Sequence, residues 1–176
     1  MELKTKRLIL RQISVKDSSE IAKIGNDKEI SYFTYYWPYP LTISKTRKII
    51  SEIEKEWKEK KTVVMFKIQL KETKKTIGVL DIYDIDRRDK HAKTGYWLGR
   101  NYWGKGYALE AVKGVIKFAF NNLNLNKIFA DTLTDNLSSN KLLEKAGFRK
   151  IGVMRKDKLV KGKLRDRFLW ELIKKN

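Results

Sequence analysis

The chain has no cysteine and only one histidine among its 176 residues. Without cysteine it can form no disulfide, no thiolate metal site and no acyl-cysteine intermediate. His91 alone cannot supply a histidine-based metal site or a Ser-His-Asp triad, so we treat it as an ordinary loop residue. The composition therefore argues against thiol chemistry, and we expect no bound metal.

The chain also lacks a long apolar segment. No apolar run approaches the ~20 residues that a membrane-spanning helix needs. The N-terminal segment MELKTKRLILRQ has charges scattered through its only apolar stretch, which argues against a secretory signal peptide. We therefore expect a cytoplasmic protein without a membrane partner. The length and the 41% hydrophobic content suit one globular domain over residues 1–176.

Acidic residues are scarce beside basic ones: 21 Asp and Glu stand against 40 Lys and Arg, giving a formal net charge of +19. Such an excess attracts polyanions in general and says nothing about fold. RNA, a ribosomal surface or a highly anionic cofactor would all suit it. Lys-rich, cysteine-free composition is also common in heat-adapted proteins. Composition alone does not separate these two explanations.

The segment from Tyr96 to Ala119 carries the clearest local pattern. It reads as the end of a strand, then a glycine-rich turn, then a helix with one apolar face. Gly104 and Gly106 leave backbone N–H groups open to a ligand, because no side chain stands in the way. The helix N-terminus adds a partial positive charge, and Lys105 adds a full one. The turn is predicted to bind phosphate.

The same turn admits two other interpretations. The spacing Gly99-x-x-x-x-Gly104-Lys105 copies most of a nucleotide-binding P-loop. A P-loop then needs Ser or Thr to hold magnesium, whereas this chain has Gly106. The two bulky aromatic residues before Gly104 would also crowd a loop that wraps a triphosphate. The simplest alternative is a strand-to-helix turn that needs glycines for its backbone conformation and binds no ligand.

Three motifs in the chain are shared with a known family. Trp103-Gly104-Lys105-Gly106-Tyr107-Ala108 has the spacing of a pyrophosphate loop, with Trp where the general pattern has Gln or Arg. The segment from Asn136 to Phe148 matches N-x-x-S-x-x-L-x-E-K-x-G-F at every fixed place, and residues 5–11 read T-x-R-L-x-L-R. These motifs resemble the RimJ/RimL-like branch of the GNAT superfamily, the ribosomal-protein N-terminal acetyltransferases. The resemblance spans the whole chain.

The resemblance implies an α/β (α+β) GNAT fold with a single mixed, mostly antiparallel sheet of about seven strands flanked by four helices. The strand that ends at Tyr96–Leu98 and the strand at 127–133 would be neighbours that splay apart. The pantetheine of acetyl-CoA would enter that gap. The residues implied to bind acetyl-CoA are Trp97, Leu98, Trp103, Gly104, Lys105, Gly106, Tyr107, Ala108, Asn136 and Lys141.

Residues 32–39, YFTYYWPY, contain six aromatic side chains in eight positions. Pro38 and Pro40 are expected to keep this segment out of a regular helix. One interpretation is a loop whose rings pack against the core. The family resemblance offers the other, a wall for the amine substrate. Tyr32, Tyr35 and Trp37 would then hold a cationic amine by cation–π contacts worth roughly 0.5–2 kcal/mol each.

The implied chemistry is direct attack of a neutral amine on the thioester carbonyl, with an oxyanion donor from a backbone N–H near Leu98. Family members often carry a Glu base where this chain has Lys93, so Asp81 is our candidate base. Many members also have a Tyr that protonates the thiolate, at the position of Leu143 here. Ser139 is our candidate donor, and its structural alternative is to cap the helix or give CoA room.

The absence of the usual base favours an α-amine acceptor, since its pKa of ~7.7–8.0 is far below the ~10.4 of lysine. We therefore predict an acetyl-CoA-dependent N-acetyltransferase acting on a protein N-terminus, with possible association with ribosomes or RNA. Two alternatives stay open. One is a small-amine or polyamine acetyltransferase, which the positive charge disfavours. The other is a basic RNA- or ribosome-binding module that uses the scaffold without catalysis.

Overall fold

The computed structural model describes residues 1–175. The strands are β1 (Glu2–Lys4), β2 (Leu8–Gln12), β3 (Val64–Leu70), β4 (Thr76–Asp86), β5 (His91–Leu98), β6 (Lys127–Leu133), β7 (Arg149–Val160) and β8 (Lys163–Ile173). The α-helices are α1 (Ser18–Gly25), α2 (Lys28–Thr34), α3 (Ile43–Glu59), α4 (Tyr107–Asn121) and α5 (Leu137–Ala146). Short 3-10 turns precede α1 and α4.

The eight strands form one sheet in the order β1-β2-β3-β4-β5-β6-β8-β7. Every neighbouring pair is antiparallel except β5 and β6, which run parallel. The predicted mixed, mostly antiparallel sheet is therefore confirmed, with one strand and one helix more than the sequence suggested. The additional strand is β1, in which Glu2–Lys4 pairs with residues 9–11 of β2.

The additional helix is α2, which takes in the first residues of the aromatic segment. Asp27 caps it, because its carboxylate accepts the backbone N–H groups of Glu29 and Ile30 at 2.7 and 3.3 Å. The helix ends where Tyr35 adopts a left-handed backbone with φ of 40°. Both prolines lie beyond that end and cannot break it. The expectation that residues 32–34 are loop was therefore wrong, as was the loop assignment of His91, which begins β5.

Helices cover both faces of the sheet and create two apolar layers. On one face α4 buries Ala111, Val112, Val115 and Ala119 against sheet residues such as Leu80 and Ile82. On the other face Ile21 of α1 and Ile50 of α3 pack with Trp37, Val79 and Trp97. These layers fix the central strands from above and below. None of the helices within residues 1–175 is long and apolar enough to cross a membrane.

The central strands β5 and β6 separate soon after they meet. Their parallel pairing extends only over His91–Lys93 and Lys127–Phe129. Past these residues, the facing edges of the two strands pair with no other strand of the described chain. The predicted splayed pair is thus confirmed, and it leaves a gap beside residues 94–98 of β5.

Candidate active site

A cavity of about 870 Å³ occupies the gap between β5 and β6. One end lies against the turn before α4 and the N-terminus of α5, and the other lies against α2, β4 and β8. We call these the loop end and the acceptor end. The cavity is large enough for a cofactor arm and a small acceptor group to meet.

The loop end is shaped by the backbone of the turn before α4. Gly104 and Gly106 have φ of 72° and 76°, a conformation that favours glycine. Within residues 1–175 no protein acceptor takes the backbone N–H groups of residues 104–109. A Cβ on Gly104 would meet nothing within 4 Å, so the space in front of the turn is open. This arrangement suits a pyrophosphate, which accepts several N–H groups at a helix N-terminus.

Side chains around this turn hold it in place. Arg7 forms an ion pair with Glu110 (2.6 Å), lies 4.4 Å from the centre of the Tyr107 ring and donates to the carbonyl of Lys105 (3.0 Å). The Lys105 ammonium donates to the carbonyl of Asn101 at 2.9 Å, so it braces the turn from outside the cavity wall. Ionic and cation–π contacts from the N-terminal segment therefore support the predicted phosphate loop.

The edge of β5 offers a backbone N–H to the cavity. The N–H of Gly99 donates to the carbonyl of Ile77 in β4 at 2.8 Å. Because successive peptide groups of a strand face opposite edges, the N–H of Leu98 faces the gap. The carbonyl of Leu98 is already taken by the indole N–H of Trp103 at 2.6 Å. The N–H of Leu98 thus has no acceptor among residues 1–175, and it is the donor that the family resemblance implies for the oxyanion.

The N-terminal turn of α5 brings a hydroxyl pair to the cavity. Asn136 caps the helix, because its side-chain oxygen accepts the N–H of Ser139 at 3.1 Å. The Ser139 hydroxyl lies 2.7 Å from the hydroxyl of Tyr96 on β5. Burial raises the pKa of Tyr96, and the hydrogen bond with Ser139 opposes that shift only in part. Tyr96 therefore stays protonated at neutral pH and can return a proton to Ser139.

Asp81 brings a partly exposed carboxylate to the cavity from β4. Its Oδ1 accepts the N–H of Gly95 at 2.8 Å. A Cβ at position 95 would lie 3.0 Å from that oxygen, so glycine here makes room for the carboxylate. Burial raises the pKa of Asp81 to about 7, although the Gly95 hydrogen bond acts in the opposite direction. A carboxyl group with this pKa can exchange protons near neutral pH.

The other carboxylates on the cavity wall are neutralised by basic side chains. Asp131 pairs with Arg167 at 2.6 Å, and Asp84 pairs with Lys93 at 2.9 Å. Glu29, on α2, pairs with Arg100 at 2.8 Å. Asp81 has no basic group within salt-bridge distance among residues 1–175. The acceptor end therefore presents one uncompensated carboxyl group.

A tyrosine and an ion pair close the acceptor end. The Tyr35 hydroxyl donates to Asp131, which also accepts from Arg167, and Arg167 in turn binds Asp157 at 2.5 Å. Burial first, and then the neighbouring Asp131 carboxylate, raise the pKa of Tyr35. Burial alone would lower the pKa of Arg167, but its hydrogen bonds to Tyr35 and Asp131 raise it. At this wall one guanidinium therefore lies between two carboxylates, and both are paired with it.

Most of the predicted site residues line the cavity. Those on its wall are Tyr35, Trp37, Asp81, Trp97, Leu98, Trp103, Gly104, Gly106, Tyr107, Ala108, Asn136, Ser139 and Lys141. Lys105 and Tyr32 do not line it. Tyr32 instead donates a hydrogen bond to Asp135 at 2.7 Å. Trp37 and Trp97 are largely buried and stack edge to face, with ring centres 5.2 Å apart, so each ring also belongs to the core.

Sequence reasoning missed Tyr96, Tyr83, Asp131 and Arg167 as cavity residues. Tyr96 could have been found, because it lies two residues from Leu98 on β5 and alternate residues of a strand share a face. Nothing local distinguishes the other three, because their positions depend on how distant strands pair.

Separately, Asp86, Asp89 and His91 place three potential ligand atoms within 4.8 Å at the β4–β5 turn. This group lies outside the cavity wall.

Comparisons with known sequences agree with this geometry. Residues 7–149 match the family described as Acetyltransferase (GNAT) domain. The chain is 35% identical over 173 residues to "Uncharacterized N-acetyltransferase p20" of Bacillus licheniformis, covering 98% of this chain and 96% of that protein. It is 26% identical to the ribosomal protein uS5-alanine N-acetyltransferase of Escherichia coli (strain K12), covering 98% and 90% respectively.

Solved structures share the fold. Mycobacterium smegmatis RimJ in complex with CoA-disulfide has a TM-score of 0.87 at 21% identity, covering 98% of this chain and 86% of that one. Spermidine N-acetyltransferase from Vibrio cholerae, in complex with CoA and spermine, has a TM-score of 0.82 at 20% identity, with 95% of each chain covered. Since the family match extends over most of the sequence and a 35% identical relative covers nearly all of it, this chain belongs to the GNAT acetyltransferases, enzymes that transfer an acetyl group from acetyl-CoA.

Proposed function

We propose that the chain acetylates the N-terminal α-amine of a protein. The observation that carries this proposal is the single uncompensated carboxyl group of Asp81 at the acceptor end. A site with one such group suits an acceptor with one positive charge. A polyamine carries several charges and would need several free carboxylates, whereas the other acids of this wall are already paired.

The pKa of Asp81 points to the same acceptor. An α-ammonium group has a pKa of ~7.7–8.0, against ~10.4 for the lysine side chain. A carboxylate with a pKa of about 7 is much better matched to the first group than to the second. Asp81 would take the proton directly or through a water molecule, leaving a neutral amine. Lys93 cannot compete for this role because it is engaged with Asp84.

Acetyl-CoA would supply the thioester carbonyl at the middle of the cavity. The N–H groups of residues 104–108 would bind its pyrophosphate, and the free edge of β5 would bind its pantetheine arm. Asn136 and Lys141 would border the arm from the side of α5. The positive φ of both glycines and the N–H groups left without an acceptor in the described chain support this assignment.

An α-ammonium acceptor loses two protons from its nitrogen in the proposed reaction, and one proton is added to the CoA sulfur, so one proton is released overall. The amine nitrogen bonds to the carbonyl carbon after Asp81 accepts the ammonium proton, and the N–H of Leu98 stabilises the oxygen that becomes negative. The nitrogen of the tetrahedral adduct loses its second proton to water, or to Asp81 once Asp81 has passed the first proton to solvent, and the carbon–sulfur bond then breaks. Ser139 donates its hydroxyl proton to the departing sulfur, and Tyr96, 2.7 Å away, can replace that proton. Leu143, at the usual tyrosine position, is fully buried and takes no part.

A panel of three acceptors tests this proposal. The first is a lysine-free peptide with a free N-terminus, the second is the same peptide with a blocked N-terminus and one internal lysine, and the third is spermidine. We expect acetylation of the first at least tenfold faster, measured by mass spectrometry with acetyl-CoA, and its loss in Asp81→Asn. Preferred turnover of the lysine peptide or of spermidine would overturn the α-amine assignment.

We also propose that the acceptor is presented on an RNA-rich surface such as the ribosome. The net charge of +19 supports this, and a relative is named for acetylating a ribosomal protein. Binding to ribosomes should weaken steeply between low and moderate salt, whereas turnover of a short free peptide should change little. Co-sedimentation with ribosomes at two salt concentrations measures this, and salt-independent binding would contradict it.

A further inference from the structure

The hairpin formed by β7 and β8 presents a row of basic side chains beside the acceptor end. Lys163 and Arg165 alternate along β8 on the same face as Arg167. Lys158 pairs directly with Arg165 in the antiparallel register and so shares that face. Lys161 lies at the turn between the two strands. We call Lys158, Lys161, Lys163 and Arg165 the basic rim.

The basic rim is joined to the cavity through the aromatic residues of α2 and its C-terminal end. The Lys158 ammonium lies 4.9 Å from the ring centre of Tyr35 and 4.6 Å from that of Tyr36, and both rings line the cavity. Lys161 and Arg165 lie 5.3 and 5.8 Å from the ring centre of Tyr32. An acceptor chain that leaves the cavity past Tyr35 and Tyr36 therefore meets these cations next.

The charges of the rim are not neutralised by carboxylates of the described chain. Arg167 lies two residues beyond Arg165 on β8 and lines the cavity. It is paired with both Asp131 and Asp157. In contrast, none of the four rim residues has a carboxylate within salt-bridge distance among residues 1–175. The Nε of Arg165 is buried and has no hydrogen-bond partner within that range. Arg167 thus takes the carboxylates of Asp131 on β6 and Asp157 on β7, and the outer cations have no carboxylate partner in the described chain.

We propose that the basic rim selects acceptors with acidic residues shortly after their N-terminus. The inference rests on the proposed function, because it assumes that an α-amine reaches Asp81. A strand advances ~3.3 Å per residue, so the distance along β8 from Arg167 to Lys163 is about 13 Å, or about four residues of an extended acceptor. Carboxylates within roughly the first six acceptor positions would then face the rim.

An acidic peptide fits the rim better than RNA does. Binding of single-stranded RNA relies on bases that stack on open aromatic faces. Here the rings of Tyr32, Tyr35 and Tyr36 are each approached by a Lys or Arg side chain. The rim also adjoins the cavity through which the substrate chain must leave. Its position therefore favours a role in acceptor selection.

A charge-swap experiment tests the proposal. Two peptides of equal length with free N-termini are compared, identical except for two Glu or two Arg at positions 4 and 6. For the wild-type protein we expect a KM at least fivefold lower for the Glu peptide, and a smaller difference at high salt. In Lys161→Glu/Lys163→Glu the preference should reverse. The double variant Lys48→Glu/Lys55→Glu on exposed positions of α3 changes net charge equally and should keep the wild-type preference.

Direct binding separates failure of this inference from failure of the proposed function. The affinity of both fluorescently labelled peptides is measured by anisotropy in the presence of CoA, where no acetyl transfer occurs. If the Glu peptide binds better and the swap reverses this, the rim proposal stands even when no peptide is acetylated. Equal affinity for both peptides overturns it. So does tighter binding of an RNA oligonucleotide that the rim swap abolishes without changing the peptide preference.

Discussion

The two ends of the cavity are built from different kinds of chain segment. The loop end comes from two short stretches, residues 103–108 and 136–141, and it offers mainly backbone N–H groups and glycine conformations. The acceptor end combines side chains from α2, β4, β6 and β8. Tyr35 and Arg167 meet there although 132 positions separate them. One end is a local motif, and the other is a product of the whole fold.

This difference sets how each end can change. A backbone cradle binds the same phosphate groups whatever the surrounding side chains are, as long as its φ angles persist. The acceptor end depends on which carboxylates are paired and which are not. Altering the acceptor preference would require only a change in these pairings, while the CoA-binding end stays as it is. The following tests probe the two ends of the cavity separately, from the largest expected effect to the smallest.

Asp81→Asn should cause the largest loss, because it removes the single uncompensated base of the acceptor end. We expect kcat/KM for a peptide N-terminus to fall by ~100-fold or more. In the wild-type enzyme the rate should fall as pH drops below about 7, since protonated Asp81 cannot accept a proton. This limb near pH 7 should be absent from the variant, whose residual activity should instead follow the ionisation of the acceptor amine, with its pKa of ~7.7–8.0.

Asp84→Asn provides the matched control for that test. It makes the same chemical change in the same strand, on an acid that is mostly exposed and paired with Lys93. We expect its activity to stay within about threefold of wild type. Equal losses in the two variants, or an unchanged acidic limb in Asp81→Asn, would assign the base to another group.

Ser139→Ala should lower kcat by about 100-fold and leave CoA affinity nearly unchanged, because a proton donor acts only in the transition state. Tyr96→Phe should cause a smaller loss of the same kind, since Tyr96 acts through Ser139. Steady-state kinetics and calorimetric CoA binding measure both effects.

Ser138→Ala is the control for the serine test, because the Ser138 hydroxyl donates to Asn136 at 3.1 Å and, within residues 1–175, makes no contact with Tyr96 of the kind that Ser139 makes. It should have little effect on kcat. The helix cap itself survives in Ser139→Ala, since Asn136 accepts the backbone N–H at that position. A loss of less than about threefold in Ser139→Ala would make this serine structural.

The difference between the loop end and the acceptor end also explains which features could be predicted from the sequence. The glycine-rich turn with Gly104 and Gly106 is a contiguous motif, and it lies where the sequence placed it, between the end of β5 and the start of α4. The splayed strands were inferred from family resemblance and appear as pairing that stops at Lys93 and Phe129. The helix after the glycine-rich turn was predicted from its apolar face, because a long amphipathic segment such as α4 has a strong pattern.

The errors fall where distant residues decide the outcome. The helix α2 was missed because Pro38 and Pro40 favour a loop, whereas the Asp27 cap that starts the helix lies upstream of the aromatic segment. Strand β1 is three residues long and exists only because β2 pairs with it. Asp131 and Arg167 have no local signal at all. Their pairing decides that Asp81 is the uncompensated acid, so sequence alone could name Asp81 only as a candidate.

Gly106→Val tests the loop end without touching the acceptor end. A bulky side chain in the cradle should raise the CoA dissociation constant at least tenfold, about 1.4 kcal/mol. Gly162→Val is a matched control, because Gly162 at the hairpin turn has the same φ of 76°, and a Cβ there would meet nothing within 4 Å. Both variants suffer similar backbone strain. Equal CoA affinity in the two would show that residue 106 does not contact the cofactor.

The smallest expected effect is a pH-dependent gain in stability of Asp81→Asn. The pKa of Asp81 is raised to about 7 in the folded protein from an ordinary value of 3.8. The folded state therefore binds more protons than the unfolded state between these values, and wild-type stability falls as pH rises through that window.

Asparagine cannot ionise, so the variant should gain stability relative to wild type above pH 7 and not at pH 4. The gain should be on the order of 1 kcal/mol, because cavity solvent screens the charge. Thermal unfolding at pH 4 and pH 8.5 measures it, with Asp84→Asn as the exposed control. A gain of the same size at both pH values would mean that Asp81 is not the group whose ionisation opposes folding.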